Sequence, residues 1–545
     1  MNHDILAVIN RDILAIELHH FLAEASPVAT ITPSQRRLAE ALKSFKARQD
    51  EGRFVLRSDD LGRTEREALV KAGYLRPIIK GWYMSSRPDE TAGDTTAWFA
   101  SAAEFIGRYA ESRFGDRWCV SADHSVRLHA GNTTLPSQLV LNAPAGQNSV
   151  IQLLAGHSLL DYRAKDFPPA DKLTMVGGLR AMTLEQALIR VPESFYRTYA
   201  RDAQIVLTSM RDADELVRQL LDGGHSVVAG RIAGAMRACG RNDVADDIAG
   251  VMRSAGYAFA EVNPFFNPLP ELHATRGESP YVTRVRLMWA EMREDVIARF
   301  PLEPGLPVDK GAYLATVQDT YVRDAYNSLS IEGYHVTNAL IERVASGHWD
   351  PEHNEADLQS KDAMAARGYF LARQKVEASI RKILAGENAG RVVAQDHRVW
   401  YRELFGPSVD AKLLKPSDLA GYRSQQVFIR NAAHVPPPKE AVRDMMPALF
   451  ELLETESHAA ARAVLGHFIF VFTHPYMDGN GRMGRFLMNA MLASGGYPWT
   501  VIEVTRRSEY MEALNAASSG GDIGPFAKFV ASSLSGEMER TAGKV

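Results

Sequence analysis

At 545 residues, with 46% hydrophobic and 23% charged side chains, the chain is about three to four domains long and has a globular composition. That excludes a wholly disordered chain, a collagen-like repeat and a small disulfide scaffold, and a net charge of −4 creates no global basic field for nucleic acid or an anionic membrane. The two cysteines, Cys119 and Cys239, stand in no CxxC or Cys/His array, so the expectation is reduced thiols in a cytoplasmic protein without a zinc knuckle.

The first apolar stretch (Ile5, Leu6, Val8, Ile9, Ile13, Leu14) carries Asp4, Arg11 and Asp12, which a secretory signal would not. No later run reaches the ~18 apolar residues of a membrane span, so no membrane partner is expected. In residues 32–87, Leu38, Ala41, Leu42 and Phe45 fall at helical spacing and predict a first helix. Ser58 is placed to cap a short helix running into Leu61. Thr64 would cap another, with Ala68, Leu69 and Ala72 on one face and Gly73 as its stop. Residues 74–83 then read as two short strands around a turn. This is the order of a winged helix-turn-helix. Between Arg36 and Arg87 thirteen basic residues stand against seven acidic ones, a local excess suited to DNA phosphates. A solvated domain that mediates protein contacts is the alternative.

Residues 91–268 give a mixed signal: strand-like pieces at 138–141 and 149–151 precede helical stretches at 183–189 and 212–221. Lys71-Ala72-Gly73-Tyr74-Leu75, Lys80-Gly81-Trp82-Tyr83, Gly178-Leu179-Arg180 and Thr183-Leu184-Glu185-Gln186-Ala187-Leu188 resemble the N-terminal halves of AbiEi-type antitoxin and regulator proteins. The resemblance implies a winged-helix module at 1–90 and a mixed α/β domain at 91–268. Proline-rich breaks at 263–270 and 301–307 flank a charged helix at 284–300.

Helical signal dominates from there on. Leu314, Val317, Tyr321, Val322, Ala325 and Leu329 predict one amphipathic helix, ending in Asn327-Ser328-Leu329-Ser330-Ile331-Glu332-Gly333. Ser328 and Glu332 share a face, and Gly333 is a natural terminator. A glutamate near a helix C-terminus opposes the dipole, so a specific cationic partner is expected for it.

Ala461, Val464, Leu465, Phe468, Ile469 and Phe472 predict a buried helix ending near Thr473, and Phe486, Leu487, Met491 and Leu492 resume the helical period. Between them lies His474-Pro475-Tyr476-Met477-Asp478-Gly479-Asn480-Gly481-Arg482-Met483-Gly484-Arg485. Gly479, Asn480 and Gly481 can take positive φ and let successive N–H groups converge on an anion at a helix N-terminus. Arg482 and Arg485, three apart, can both fork onto phosphate oxygens. Asp478 in so positive a setting reads as a Mg²⁺ ligand, and His474 can accept a hydroxyl proton. An EF-hand is rejected, because Arg482 fills a ligand position and Asn489 replaces the closing glutamate.

This loop resembles the Fic family of nucleotidyltransferases, whose signature is HPFxDGNGRxGR, with Tyr476 standing at the phenylalanine position. The resemblance spans about residues 308–534. It includes Gly421-Tyr422-Arg423 to Pro436-Pro437-Pro438 before the loop, and Glu509-Tyr510 to Gly521-Asp522-Ile523-Gly524-Pro525-Phe526 after it. It implies a mainly α-helical Fic domain at 271–545 with a β-hairpin flap near 425–436 that holds a target protein. The implied activity is AMP transfer from ATP to a Ser, Thr or Tyr hydroxyl, with AMP removal as a reverse activity. By that resemblance His474 is the general base and Asp478 the Mg²⁺ ligand. Gly479, Asn480, Gly481, Arg482, Gly484, Arg485 and Tyr510 bind nucleotide. Asn327 to Gly333 matches the family's inhibitory (S/T)xxxE(G/N) motif, with Ser328 and Glu332 at its defining positions, so Glu332 would pair with Arg485 and misdirect the γ-phosphate. A DNA-binding regulator whose Fic domain senses nucleotide is the alternative, and a homo-oligomer is left open.

Overall fold

The computed structural model describes residues 32–88, 90, 94–270, 277–348, 361–429, 432 and 434–542; the apolar stretch at 5–14 lies outside them. Two compact units emerge. One holds the described residues up to 269 together with 428–435, and the other runs over 270–427 and 436–542.

In the first unit, α1 (Pro33–Asp50) opens with a capping box: the Thr32 hydroxyl accepts from the Gln35 N–H, and the Gln35 side chain accepts from the Thr32 N–H. Its periodic residues Ala41, Leu42 and Phe45 are buried as their spacing requires. The short helix expected after Ser58 does not form. The chain instead makes a strand, β1 (Val55–Arg57), and a turn in which the Asp60 carboxylate accepts the Arg57 N–H at 2.7 Å and the Asp60 N–H returns to the Arg57 carbonyl at 3.0 Å. A side chain that satisfies the backbone locally competes with helix, and here it wins. α2 (Arg63–Lys71) is capped two residues earlier than expected, at Gly62, whose N–H donates to Glu65. β2 (Leu75–Ile79) and β3 (Trp82–Ser85) complete an antiparallel sheet of order β1-β3-β2.

Beyond α3 (Thr96–Phe114), strands β4 (Cys119–Val120), β5 (Gln138–Ala143), β6 (Ser149–Gln152) and β7 (Ser158–Arg163) form a sheet of order β4-β5-β7-β6, parallel only between β5 and β7. The strands expected at 138–141 and 149–151 are β5 and β6, and β7 forms beside both without having been expected. A buried acid disguises that strand: Asp161 is fully enclosed and accepts the Ser149 N–H at 2.7 Å. A hairpin of β8 (Leu173–Val176) and β9 (Leu179–Met182) follows, then helices up to Ser254.

The second unit is helical around one core. Its labelled elements are α4 (Pro280–Arg299), α5 (Lys310–Asp319), α6 (Tyr321–Ile331), α7 (Lys361–Leu384), α8 (Ala389–Asp410), α9 (Lys439–Thr455), α10 (Ala459–Thr473), α11 (Asn480–Ala493), α12 (Arg507–Asn515) and α13 (Gly524–Ala542), with a short helix Asn338–Ala345 between α6 and α7. The single helix expected over 314–329 is two, broken at Thr320. The Val317 carbonyl accepts from Thr320 Oγ1 at 2.7 Å, from Arg373 Nη2 at 2.6 Å and from the Thr320 N–H at 3.1 Å, so the ladder closes there in a three-residue turn. Arg373 also pairs with Asp324 on α6, beside the Tyr369 hydroxyl, which donates to the same carboxylate at 2.6 Å. This buried ion pair fastens α6 to α7.

The hairpin expected near 425–436 is absent among the described residues of that stretch, which form no strand; residues 430, 431 and 433 lie outside them. Pro436, Pro437 and Pro438 cannot donate to a ladder. A side chain bridges the two limbs instead: Gln426 Nε2 donates to the Pro436 carbonyl at 2.8 Å. No helix among the described residues is long and apolar enough to cross a membrane.

Candidate active site

α10 and α11 are both buried, and the polar loop between them is held on all sides. α10 ends when His474 enters the left-handed region (φ 52°, ψ 61°), its N–H still bonded to the Phe470 carbonyl at 2.9 Å. The ring then turns back, with Nδ1 3.1 Å from the Val471 carbonyl. A carbonyl can only accept, so Nδ1 carries a proton, and in the neutral ring Nε2 is the basic nitrogen.

Of the three residues expected at positive φ, only Gly479 takes it (φ 78°), as the N-cap of α11; Asn480 and Gly481 already belong to the helix. A Cβ on Gly479 would lie 2.8 Å from the Phe405 ring. The first intrahelical bond is Met483 N–H to the Gly479 carbonyl, so the N–H groups of 480–482 point out of the helix start. The Asn480 side chain is used inward, accepting from the Tyr476 N–H and donating to the Tyr476 carbonyl, both at 2.9 Å. It shapes the loop, which leaves its backbone N–H for an anion. Tyr476 stacks on Tyr401 with ring centroids 3.7 Å apart, so the family's aromatic position serves packing.

Asp478 accepts the Gly479 N–H at 2.6 Å and lies 3.4 Å from Arg482. Burial raises its carboxyl above the ordinary range despite Arg482 and that N–H. Arg482, 1% exposed, is sandwiched with its guanidinium 5.1 Å from both the Tyr334 and Phe405 rings. Arg485 points the other way. Its Nε donates to Ser328 Oγ at 2.8 Å, and its Nη2 to Glu332 at 2.5 Å and to the Ser328 carbonyl at 3.1 Å.

Glu332 is where the site is decided. α6 ends on it, Gly333 (φ 86°) turns the chain, and the Tyr334 N–H returns to the Leu329 carbonyl at 3.1 Å. Arg507 Nε caps the same end through the Ile331 carbonyl at 2.8 Å. The carboxylate therefore projects onto the first turn of α11. It comes so close that a Cβ on Gly481 would lie 2.3 Å from Glu332 Oε1. An anion already sits at the helix N-terminus. Burial by itself would raise the Glu332 carboxyl, but Arg485, Arg482 and Arg507 together hold it below the ordinary carboxylate range.

Two expected nucleotide residues are placed otherwise. A Cβ on Gly484 would meet Val471 at 3.0 Å and His467 at 3.3 Å, so Gly484 serves the close approach of α11 to α10. Tyr510 is 2% exposed, and its hydroxyl lies 2.8 Å from His467 Nε2 in an aromatic cluster with Phe526 and Phe529. It backs Arg485 from the core. Burial lowers His467 to about 3, so that ring stays neutral.

The pair fixes a pH expectation. A carboxyl held below its ordinary value stays ionised through neutrality and loses its partner only as pH falls through that lowered value. The Glu332 carboxyl is therefore expected to stay ionised from about pH 8 to about pH 6. A carboxyl ¹³C resonance of Glu332 moving to the protonated position within that range would contradict this.

Residues 394–492, which contain α10, the loop and most of α11, match the Fic/DOC family model, and this part of the chain is a Fic domain. Among curated relatives, the protein adenylyltransferase Fic of Nematostella vectensis is 30% identical over 275 residues, 49% of this chain and 58% of that protein. The protein of that name from Drosophila grimshawi is 31% identical over 224 residues, 39% of this chain and 41% of that one. The chain thus spans roughly half the length of the curated relatives it matches. The solved Fic-1 fragment (aa134 - 508) from C. elegans aligns with 67% of this chain and 92% of its own, at 18% identity and a TM-score of 0.36.

Proposed function

We propose that the chain is a self-inhibited, Mg·ATP-dependent protein adenylyltransferase that moves AMP from ATP to a Ser, Thr or Tyr hydroxyl of a target protein. The observation that carries the reading is the anion nest at the start of α11, with the Glu332 carboxylate lying in it against Arg485. His474 Nε2 takes the acceptor's hydroxyl proton as its oxygen attacks the α-phosphorus. The bond from that phosphorus to the bridging oxygen breaks, and pyrophosphate leaves. The outward N–H groups of 480–482 face the charge that builds on the phosphoryl oxygens.

Asp478 suits Mg²⁺ by its place, a single carboxylate at the start of α11 beside the outward N–H groups, since Mg²⁺ takes one carboxylate plus phosphates and water. When bound it would neutralise phosphate charge, and it would keep ionised a carboxyl that burial otherwise raises. Arg485 would clamp the distal phosphates once Glu332 leaves, and the target would dock along 425–436. Label from α-labelled ATP should reach protein, whereas γ-label should not. Transfer of γ-label would make the enzyme a kinase and sink the proposal. Removal of AMP, with Glu332 orienting water, is the reverse reading of the same site.

For the first unit we propose a winged-helix module at 1–90 that binds DNA, followed by a mixed α/β domain. The sheet of order β1-β3-β2 with α2 beside it and the local basic excess support this. Arg63 is the residue to test, since its side chain is 83% exposed and paired only across one turn with Glu67, whereas Arg66 is tied to the Ser58 carbonyl. Duplex affinity should fall about tenfold or more between 50 and 200 mM salt, and Arg63→Glu should weaken it by a similar factor. Salt-independent or absent binding in an anisotropy titration would favour the protein-contact reading.

A further inference from the structure

A left-handed backbone at a residue other than glycine is strained and persists only where its surroundings over-determine it. His474 adopts that conformation, and it carries the imidazole on which the proposed chemistry rests. The residue that holds it is Arg423. Its Nε donates to the His474 carbonyl at 2.8 Å, and its own N–H donates to the Pro475 carbonyl at 2.8 Å. The same guanidinium reaches the Gln425 carbonyl through Nη1 at 3.1 Å and the Pro437 carbonyl through Nη2. One 5%-exposed side chain therefore fastens the strained residue and both limbs of the segment that leaves and returns around 425–437. A guanidinium spreads its donors over three nitrogens and so reaches three carbonyls set apart around it, whereas the three donors of an ammonium radiate from one atom.

We propose that Arg423 is the positioning residue for His474: it fixes the left-handed turn that aims Nε2, and it couples that aim to the segment on which the target docks. The inference rests on the adenylyltransferase reading and deepens it. Without the fork, the ring would relax from the end of α10 while the nest at the start of α11 stayed formed. The defect would then lie in the rate and leave nucleotide binding in place.

The test uses the full chain carrying Glu332→Gly, so that transfer is measurable, and compares Arg423→Lys and His474→Ala in that background. Arg423→Lys should lower kcat for AMP transfer by about 10–100-fold, the scale of a roughly 1 Å misplacement, with Mg·ATP affinity within about twofold. An unchanged kcat, or an equal loss of ATP binding, would overturn the proposal. If His474→Ala retained transfer, the base assignment itself would fail whatever Arg423→Lys did, so the two failures are distinguishable. A measurement on the Glu332→Gly chain alone covers the case in which Arg423→Lys does not fold. ¹⁵N-histidine spectra should show His474 protonated on Nδ1 at neutral pH, and an Nε2–H tautomer would overturn the geometry. In a folded Arg423→Lys that signal should shift towards a tautomer mixture, and an unshifted signal would count against coupling.

Discussion

Glu332→Gly is expected to raise AMP transfer, onto the chain itself or a target, by a factor on the order of 10². The carboxylate and a distal phosphate are competitors for one guanidinium and one helix N-terminus. Arg485 is 4% exposed, with its Nε and Nη2 given to Ser328 and Glu332. ATP entering beside an intact pair would bind with its α-phosphate turned from the attacking hydroxyl, and in-line displacement tolerates little misalignment. ATP affinity should change far less than rate. Arg485→Ala should not mimic the activation, because the same arginine is needed to orient the triphosphate afterwards. Unchanged or lowered transfer by folded Glu332→Gly would remove the inhibitory reading. A selective loss of AMP removal would promote the hydrolytic one.

His474→Ala, made in the Glu332→Gly background, should lower transfer by about 10²–10⁴-fold, the usual worth of a general base, while Mg·ATP still binds. The donors that receive phosphate come from α11 and Arg485, not from the imidazole, so binding and chemistry separate. Undiminished labelling by the variant would end the assignment.

How much of this was legible before folding depended on distance along the chain. The loop from His474 to Arg485 could be read because its chemistry is contiguous and bracketed by two strongly periodic helices. The Ser328–Glu332 pair could be read because four residues is one helical turn. The use each residue makes of its position was less visible. Asn480 and Gly484 sit in the motif, yet one bonds inward to Tyr476 and the other lets α10 approach, which only packing reveals. The break at Thr320 could not be seen either. It arises because Arg373, more than fifty residues away, takes the Val317 carbonyl. Arg423 belonged to a recognisable string, but its role exists only once the His474 and Pro437 carbonyls converge on it. The missed strand β7 has the same origin, since Asp161 looks like a surface residue until Ser149 is brought beside it.

The ends of α6 are not held alike. Asp324 is paired with Arg373 and Tyr369 in the core, whereas Glu332 reaches Arg485 and the start of α11, the place proposed here for phosphate. Both ends pack into the same core as the motif loop, so the carboxylate is delivered at a fixed effective concentration by its own chain. Occupancy of Arg485 by Glu332 is then a first-order equilibrium. Diluting the protein leaves it untouched, and a soluble competitor for Arg485 must match a tethered rival and not merely a free one.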